Sequence, residues 1–399
     1  IARNMIKPRP LLLLDEPTGR SESSGGILWV VLLCGLIAGA YLLGSRNSSE
    51  EMIIDLKHCA ETRDAHCFIL MALKNVESGN VDPFDRVKVY ANAATLLSKA
   101  KHADEAQKYF NAARTTLNKI APKLRSWDAH NILVDNLLLA GRRNEALILL
   151  SEFEAKVGAF SGGETEITQQ DYQLDPSIPA NELSWFLLSQ RDYRLADIAA
   201  KWSRLNEISK ANYTIDSISS WIKVFAIEKV VREEALARRW KNSRDFAARL
   251  HGLTEVSAMC EILKAADKAE NRDLASSLVL EMRHKVESEK EDMQKLYGYG
   301  NIVLCLSEAG LHDLVPGMII DIDTLSLRVS EPHRTLLAQI AVAQALHKLG
   351  NVRDANNRMR AILSKALVVT NKNQRDEELG TIAVAQARLG MFEDAIKTL

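Results

Sequence analysis

From residue 50 to residue 399 apolar side chains recur at spacings of three and four, alanine and leucine dominate, and proline is rare. That pattern predicts helix almost throughout. A longer period lies over it. GRRNEALILL (141–150), GNVRDANNRM (350–359) and GMFEDAIKTL (390–399) each set a glycine, four mostly polar residues and then an alanine. Looser copies supply Ala65, Ala106, Ala196, Ala235 and Ala275, and Gly310 followed by LHDLV puts Val315 in the same place. The anchors fall at 65, 106, 146, 196, 235, 275, 315, 355 and 395, so six of the eight intervals are 40 or 41, one is 39 and one is 50. The string IAVAQA, at 340–345 and again at 382–387, repeats the metre.

Such a unit reads as a helical hairpin. The glycine, or a small or polar substitute, ends the first helix, and Asp or Glu then sits in the first turn of the second, where unpaired amides favour it. The anchor is small because the two helices cross there at close range. One hairpin cannot bury its own apolar face, so neighbours must stack. Ala387, Leu389, Gly390, Ala395 and Ile396 match the small–Leu–Gly…Ala–Ile core of the tetratricopeptide repeat family, and residues 50–399 resemble that family. The resemblance implies an all-α, right-handed superhelical solenoid, here of about nine hairpins, with a protein-binding role. The family's own period is about 34 residues, and its closing proline is mostly missing here, so "tetratricopeptide-like" is the apt description.

Two stretches interrupt the array. GAFSGGETEITQQDYQLDPSIPAN, 158–181, is too polar and glycine-rich for helix and predicts a loop between a first block at 50–157 and a second at 182–399. MIIDIDTLSLRV, 318–329, is β-branched and partly alternating where a second helix should run, which predicts a shortened or distorted helix. The chain opens on Ile1 and stops four residues past its last anchor, which predicts that the natural protein continues.

The first 50 residues differ in kind. LLLLDEPTG, 11–19, looks like the Walker B strand of a transport ATPase, but no Gly-Lys-Ser/Thr phosphate loop exists in the chain and only ten residues precede it. Nucleotide hydrolysis is therefore not expected. Ile27–Gly44 carries no charge, and the uncharged run from 23 to 45 reaches the roughly 20 residues that cross a bilayer as a helix. Arg3, Lys7, Arg9 and Arg20 before it outnumber Arg46 and Lys57 after it, predicting a cytoplasmic leader at 1–22 and a solenoid on the periplasmic or other extracytoplasmic side of the cell's inner membrane. Gly35 and Gly39, with Ala40 and Gly44 behind them, form a small-residue face on which a second transmembrane helix could pack.

Charge changes the picture by exclusion. With 51 basic and 52 acidic residues the net charge is −1, so no concentrated basic face for nucleic acid is expected. Cysteine leaves three readings open. Cys59 and Cys67 in HCAETRDAHC suit a disulfide if the chain turns near Thr62–Asp64, since eight residues along one straight helix span about 12 Å. The repeated His-Cys steps, His58-Cys59 and His66-Cys67, also suit zinc, and ordinary buried thiols are the third reading. Other histidines are scattered without ligand spacing, and no HExxH or dinucleotide loop occurs, so neither cofactor nor catalytic residues are expected. Trp185, Trp202, Trp221 and Trp240 cluster in the middle units as candidate interface anchors, or else as fillers of helix junctions. Together these features predict a non-enzymatic, membrane-anchored interaction scaffold in a multiprotein complex. The alternative is a membrane-tethered chaperone for translocated polypeptides.

Overall fold

The computed structural model describes Cys59 and residues 65–120, 123–160, 180–329 and 335–399. The side chains at 123–124 and 180–186 are not part of that description. Every regular element among these residues is a helix, and they fall into two compact units divided between Ala146 and Leu147.

The first unit holds α1 (Ala65–Ser78), α2 (Pro83–Lys99), α3 (Ala103–Leu117), α4 (Lys123–Leu139) and the first turn of α5 (Arg143–Gly158). Asp82 starts α2 by accepting from the Phe84 amide at 2.8 Å, and Pro83 supplies the preset first helical position. Ala91, Ala94 and Leu97 of α2 and Ala106, Phe110 and Ala113 of α3 are all buried, and the two helices pack together along their length. The Thr95 hydroxyl donates to Asn136 Oδ1 at 2.8 Å, which satisfies a buried polar pair between α2 and α4.

The second unit runs from Leu147 through the rest of α5, then α6 (Ala180–Arg204), α7 (Ile208–Asp216), α8 (Ile222–Leu236), α9 (Trp240–Ala247), α10 (Leu253–Lys268) and α11 (Arg272–Glu287). It continues with α12 (Asp292–Glu308), a 3₁₀ turn at His312–Leu314, α13 (Val315–Ser326), α14 (Leu336–Lys348), α15 (Val352–Leu367), α16 (Lys372–Arg388) and α17 (Phe392–Thr398). The even-numbered helices α6 to α16 lie each against the next, and α7, α9, α11 and α13 each pack on the helix before them, as do α15 and α17. Arg–carboxylate pairs tie the odd-numbered helices together: Arg249, just past α9, to Asp216 at 2.7 Å, Arg244 to Glu281, Arg283 to Asp321 at 3.0 Å, and Arg358 to Asp323 at 2.6 Å.

The chain reverses at residues held in the left-handed backbone region: Lys101 and Gly141 in the first unit, and Asn206, Arg238, Glu270, Gly310, Gly350 and Gly390 in the second. At each, the following amide reaches back to the carbonyl five residues earlier at 2.8–2.9 Å, closing the preceding helix. Five residues after each reversal comes a small buried side chain: Ala106, Ala146, Ala211, Ser243, Ala275, Val315, Ala355 and Ala395. This is the anchor position, and it corrects the expected register in the middle of the chain. Ala196 and Ala235 are buried, but they lie inside α6 and at the end of α8, not at the start of a second helix. Ala65, the first expected anchor, is exposed.

The regular solenoid of about nine equal units is corrected accordingly. The true anchors are spaced by 40 residues at the C-terminal end but by 32 from Ala211 to Ser243 and from Ser243 to Ala275. The physical reason is the length of the second helices, nine residues in α7 and eight in α9 against sixteen in α11 and α15. The α13 segment, where β-branched residues gather, is a helix of 12 residues.

The membrane expectations are corrected as well. Among the described residues no helix is long and apolar enough to cross a membrane. Even α6, with 25 residues, carries Arg191, Asp192, Arg194, Asp197, Lys201 and Arg204. Ile27–Gly44, the Gly35/Gly39 face, the leader and LLLLDEPTG lie outside the described residues, as do the turn at Thr62–Asp64 and positions 161–179 of the expected loop. The single-pass topology, the lipid partner and the extracytoplasmic location rested on that segment, and they are corrected to described residues that are helical and include no spanning helix.

Candidate functional site

Trp202, Trp221 and Trp240, the three of the four tryptophans whose side chains are described, differ in their surroundings. Trp202 is fully buried in α6: its indole N–H donates to Glu154 Oε2 at 3.0 Å, and the Lys210 ammonium sits 4.4 Å from the ring centre. Glu154 also accepts from Thr214, so one carboxylate of α5 fastens both helices of the next hairpin. Trp202 thus fills a helix junction. Trp240, half-buried, opens α9, and Trp185 lies in α6 with its side chain outside the description.

Trp221 is different. It stands at the N-terminal end of α8 and is 62% exposed. The ring of Tyr193, from α6, meets it edge-on with centroids 5.9 Å apart, and meets Phe225 at the same distance and at 78°. Phe225, one turn after Trp221, is 37% exposed. One turn further, Lys229 lays its ammonium 4.6 Å from the Phe225 ring and pairs with Asp197. Tyr193 is half-buried, and burial pushes its phenol above the ordinary range. The result is an aromatic ridge on α8, backed by a tyrosine and edged by paired charges.

A charged network begins on the ridge's own helix without adding chemistry to it. Arg232, Glu261, Lys264, Glu308 and Lys348 form a ladder across α8, α10, α12 and α14, with Lys264 held 3.0 Å from Glu261 and 2.6 Å from Glu308. Burial alone would lower the Lys264 pKa, but its bonds to Glu308 and Glu261 outweigh that and raise it. Glu308 moves the other way: desolvation opposes ionisation, and Lys264 and Lys348 hold the carboxyl below its usual range. These groups satisfy one another and read as interhelical ties.

The cysteines settle into two of the three expected readings. Cys59 and Cys67 form a disulfide, Cα–Cα 5.5 Å, so their thiolates are not available to a metal. Cys260 and Cys305 are buried free thiols on α10 and α12, and burial pushes the Cys305 thiol well up, which makes it unreactive. His66 pairs with groups of the α3 end. Its Nε2 lies 2.5 Å from Glu105 Oε2, and its ring stacks on His102 at 4.0 Å and 2°. His102 and Glu105 were invisible to motif spacing, because they stand a whole unit away in sequence.

No protein-family model matches the chain. No curated protein matches it. Among solved structures it is similar to Ton1535 from Thermococcus onnurineus NA1, at 14% identity, 94% and 91% coverage of the two chains and a TM-score of 0.32. It is also similar to a circular tandem repeat protein with novel repeat topology, at 12% identity, 95% and 97% coverage and a TM-score of 0.22. The tetratricopeptide-like assignment is corrected by the unequal turn spacing: what stands is an all-α fold among the described residues.

Proposed function

We propose that this chain is a non-enzymatic protein-binding scaffold whose partner docks on the ridge formed by Tyr193, Trp221 and Phe225. The exposure of Trp221 carries this reading: at 62% it leaves a large indole surface in water while Tyr193 braces its edge. Burying apolar surface is worth about 25 cal/mol per Å². A ring already held by neighbouring rings loses little freedom on binding, so more of that gain survives as affinity. Tryptophan and tyrosine are the side chains most often found to dominate binding energy. The ladder of satisfied charges on α8 to α14 supports the same reading, because it stiffens the frame that presents the ridge.

The test is purification of the full-length protein under gentle conditions, with native mass determination and identification of every component. Discrete, stoichiometric partners that are lost from a Trp221→Ala, Phe225→Ala variant of unchanged helicity support the proposal. A bare chain, or a smear of substoichiometric clients insensitive to the substitutions, contradicts it.

A further inference from the structure

We propose that His66, His102 and Glu105 bind a divalent cation of the zinc class, with two imidazole nitrogens and one carboxylate oxygen as protein ligands. The three side chains come from α1 and from the N-terminal end of α3. One donor atom from each lies within 4.8 Å of the other two. His66 Nε2 stands 2.5 Å and His102 Nδ1 3.8 Å from the same oxygen, Glu105 Oε2. Around a tetrahedral zinc with bonds of about 2.0–2.1 Å, ligand atoms sit roughly 3.3 Å apart. The first distance must therefore open and the second close, each by less than about 1 Å.

Ring orientation sets the remaining requirement. Parallel rings 4.0 Å apart keep their nitrogen lone pairs in separate planes, so both cannot point at one ion. One ring must turn, and His102 is the one with room: its side chain is 42% exposed, against 25% for His66. The His66 end is the better fixed, because the adjacent Cys67 is bridged to Cys59. Solvent reaches the cluster and can fill the remaining coordination positions, as open zinc sites require. The donor set also selects the class of ion. Two imidazoles favour zinc, copper or nickel, whereas a single carboxylate gives magnesium or calcium too few oxygens. A bound ion would tie α1 to the hairpin that follows it, joining the disulfide in holding the first described helix.

The experiment uses the full chain with its disulfide intact, treated with chelator, dialysed and titrated with zinc sulfate by calorimetry. Helicity and melting temperature are read before and after. We expect one saturable site per chain, a raised melting temperature, and no comparable site for magnesium. His102→Ala and Glu105→Gln should each weaken zinc at least tenfold, with helicity of the metal-free variants unchanged. Absence of a saturable micromolar site would overturn the proposal and leave an ordinary histidine–glutamate pair. So would an affinity retained in either variant.

Discussion

Arg239 holds Glu234 by two hydrogen bonds, 2.7 and 2.8 Å, across the turn where α8 reverses into α9, and the carboxylate is fully buried. Ser203 and Asn242 donate to the same carboxylate, and Arg239 also donates to the Ser203 carbonyl at 2.7 Å. Three helices thus meet on one ionised group. Burial by itself would raise the Glu234 pKa, but the donors from Arg239, Ser203 and Asn242 prevail and hold it below the usual 4.5.

A sign follows for acid stability. Because the folded pKa is depressed, the stabilisation from Glu234 is fully present above about 4.5 and is lost as pH falls through the lower folded value. Asp323, lowered chiefly by its bonds from Arg358, acts in the same direction. Glu234→Gln should cost about 2–4 kcal/mol at neutral pH, because it strips the charge from a buried paired group. It should also flatten the fall in melting temperature between pH 5 and 3 relative to wild type. Melts of both proteins across that range check it, and an unchanged slope would contradict it.

The left-handed turns at Lys101 and Glu270 carry exposed side chains in a conformation that costs a non-glycine residue about 1–2 kcal/mol. Glycine relieves that strain but adds unfolded-state entropy. Lys101→Gly and Glu270→Gly should therefore each stabilise by about 0.5–1 kcal/mol. Gly350→Ala should move stability the other way by a similar amount, since Gly350 sits at φ 81°. Denaturant titration reads all three.

Gly298 marks a close approach. A Cβ there would stand 2.9 Å from Leu253 Cδ2 and closer still to Val286, packing α12 into α10 and α11. Gly298→Ala should cost about 1–3 kcal/mol by overpacking. Equal stability of the two proteins would show that α12 is not seated so tightly.

The Cys59–Cys67 bridge closes a short loop at the N-terminal side of α1. Its reduction should destabilise that region by about 2–3 kcal/mol, the chain-entropy value for a loop of this size. Hydrogen exchange should then quicken in α1 while α10 to α16 keep their protection. Uniform quickening would mean that the bridge supports more than its own end of the molecule.

How much of this was legible depends on which residues signal a turn. Gly141, Gly310, Gly350 and Gly390 announce their reversals, and the anchors five residues later were read correctly from them. Asn206 and Arg238 do the same job without a glycine, and the polar strings before Ala196 and Ala235 resemble turns while lying within α6 and α8. Contacts one unit apart were partly readable in principle. Thr95 with Asn136, Arg283 with Asp321, and His66 with Glu105 are separated by 41, 38 and 39 residues, close to the period itself. That offset leads from His66 to Glu105, and His102 stands one helical turn before Glu105. Exposure was not legible from residue type: Trp202 and Trp221 are both tryptophans of the middle units, yet one fills a junction and the other faces water. That difference depends on which side of its helix each residue occupies, and the misplaced register hid it.

The most direct measurement is the affinity of the copurified partner, by calorimetry, for wild type, Trp221→Ala and Leu280→Ala. Leu280 is 70% exposed on α11, a helix that carries none of the ridge residues, and serves as a control for exposed apolar surface. The predicted result is a loss of at least tenfold for Trp221→Ala and a change within about twofold for Leu280→Ala. Equal affinity for all three proteins would contradict the assignment of Tyr193, Trp221 and Phe225 as the docking surface.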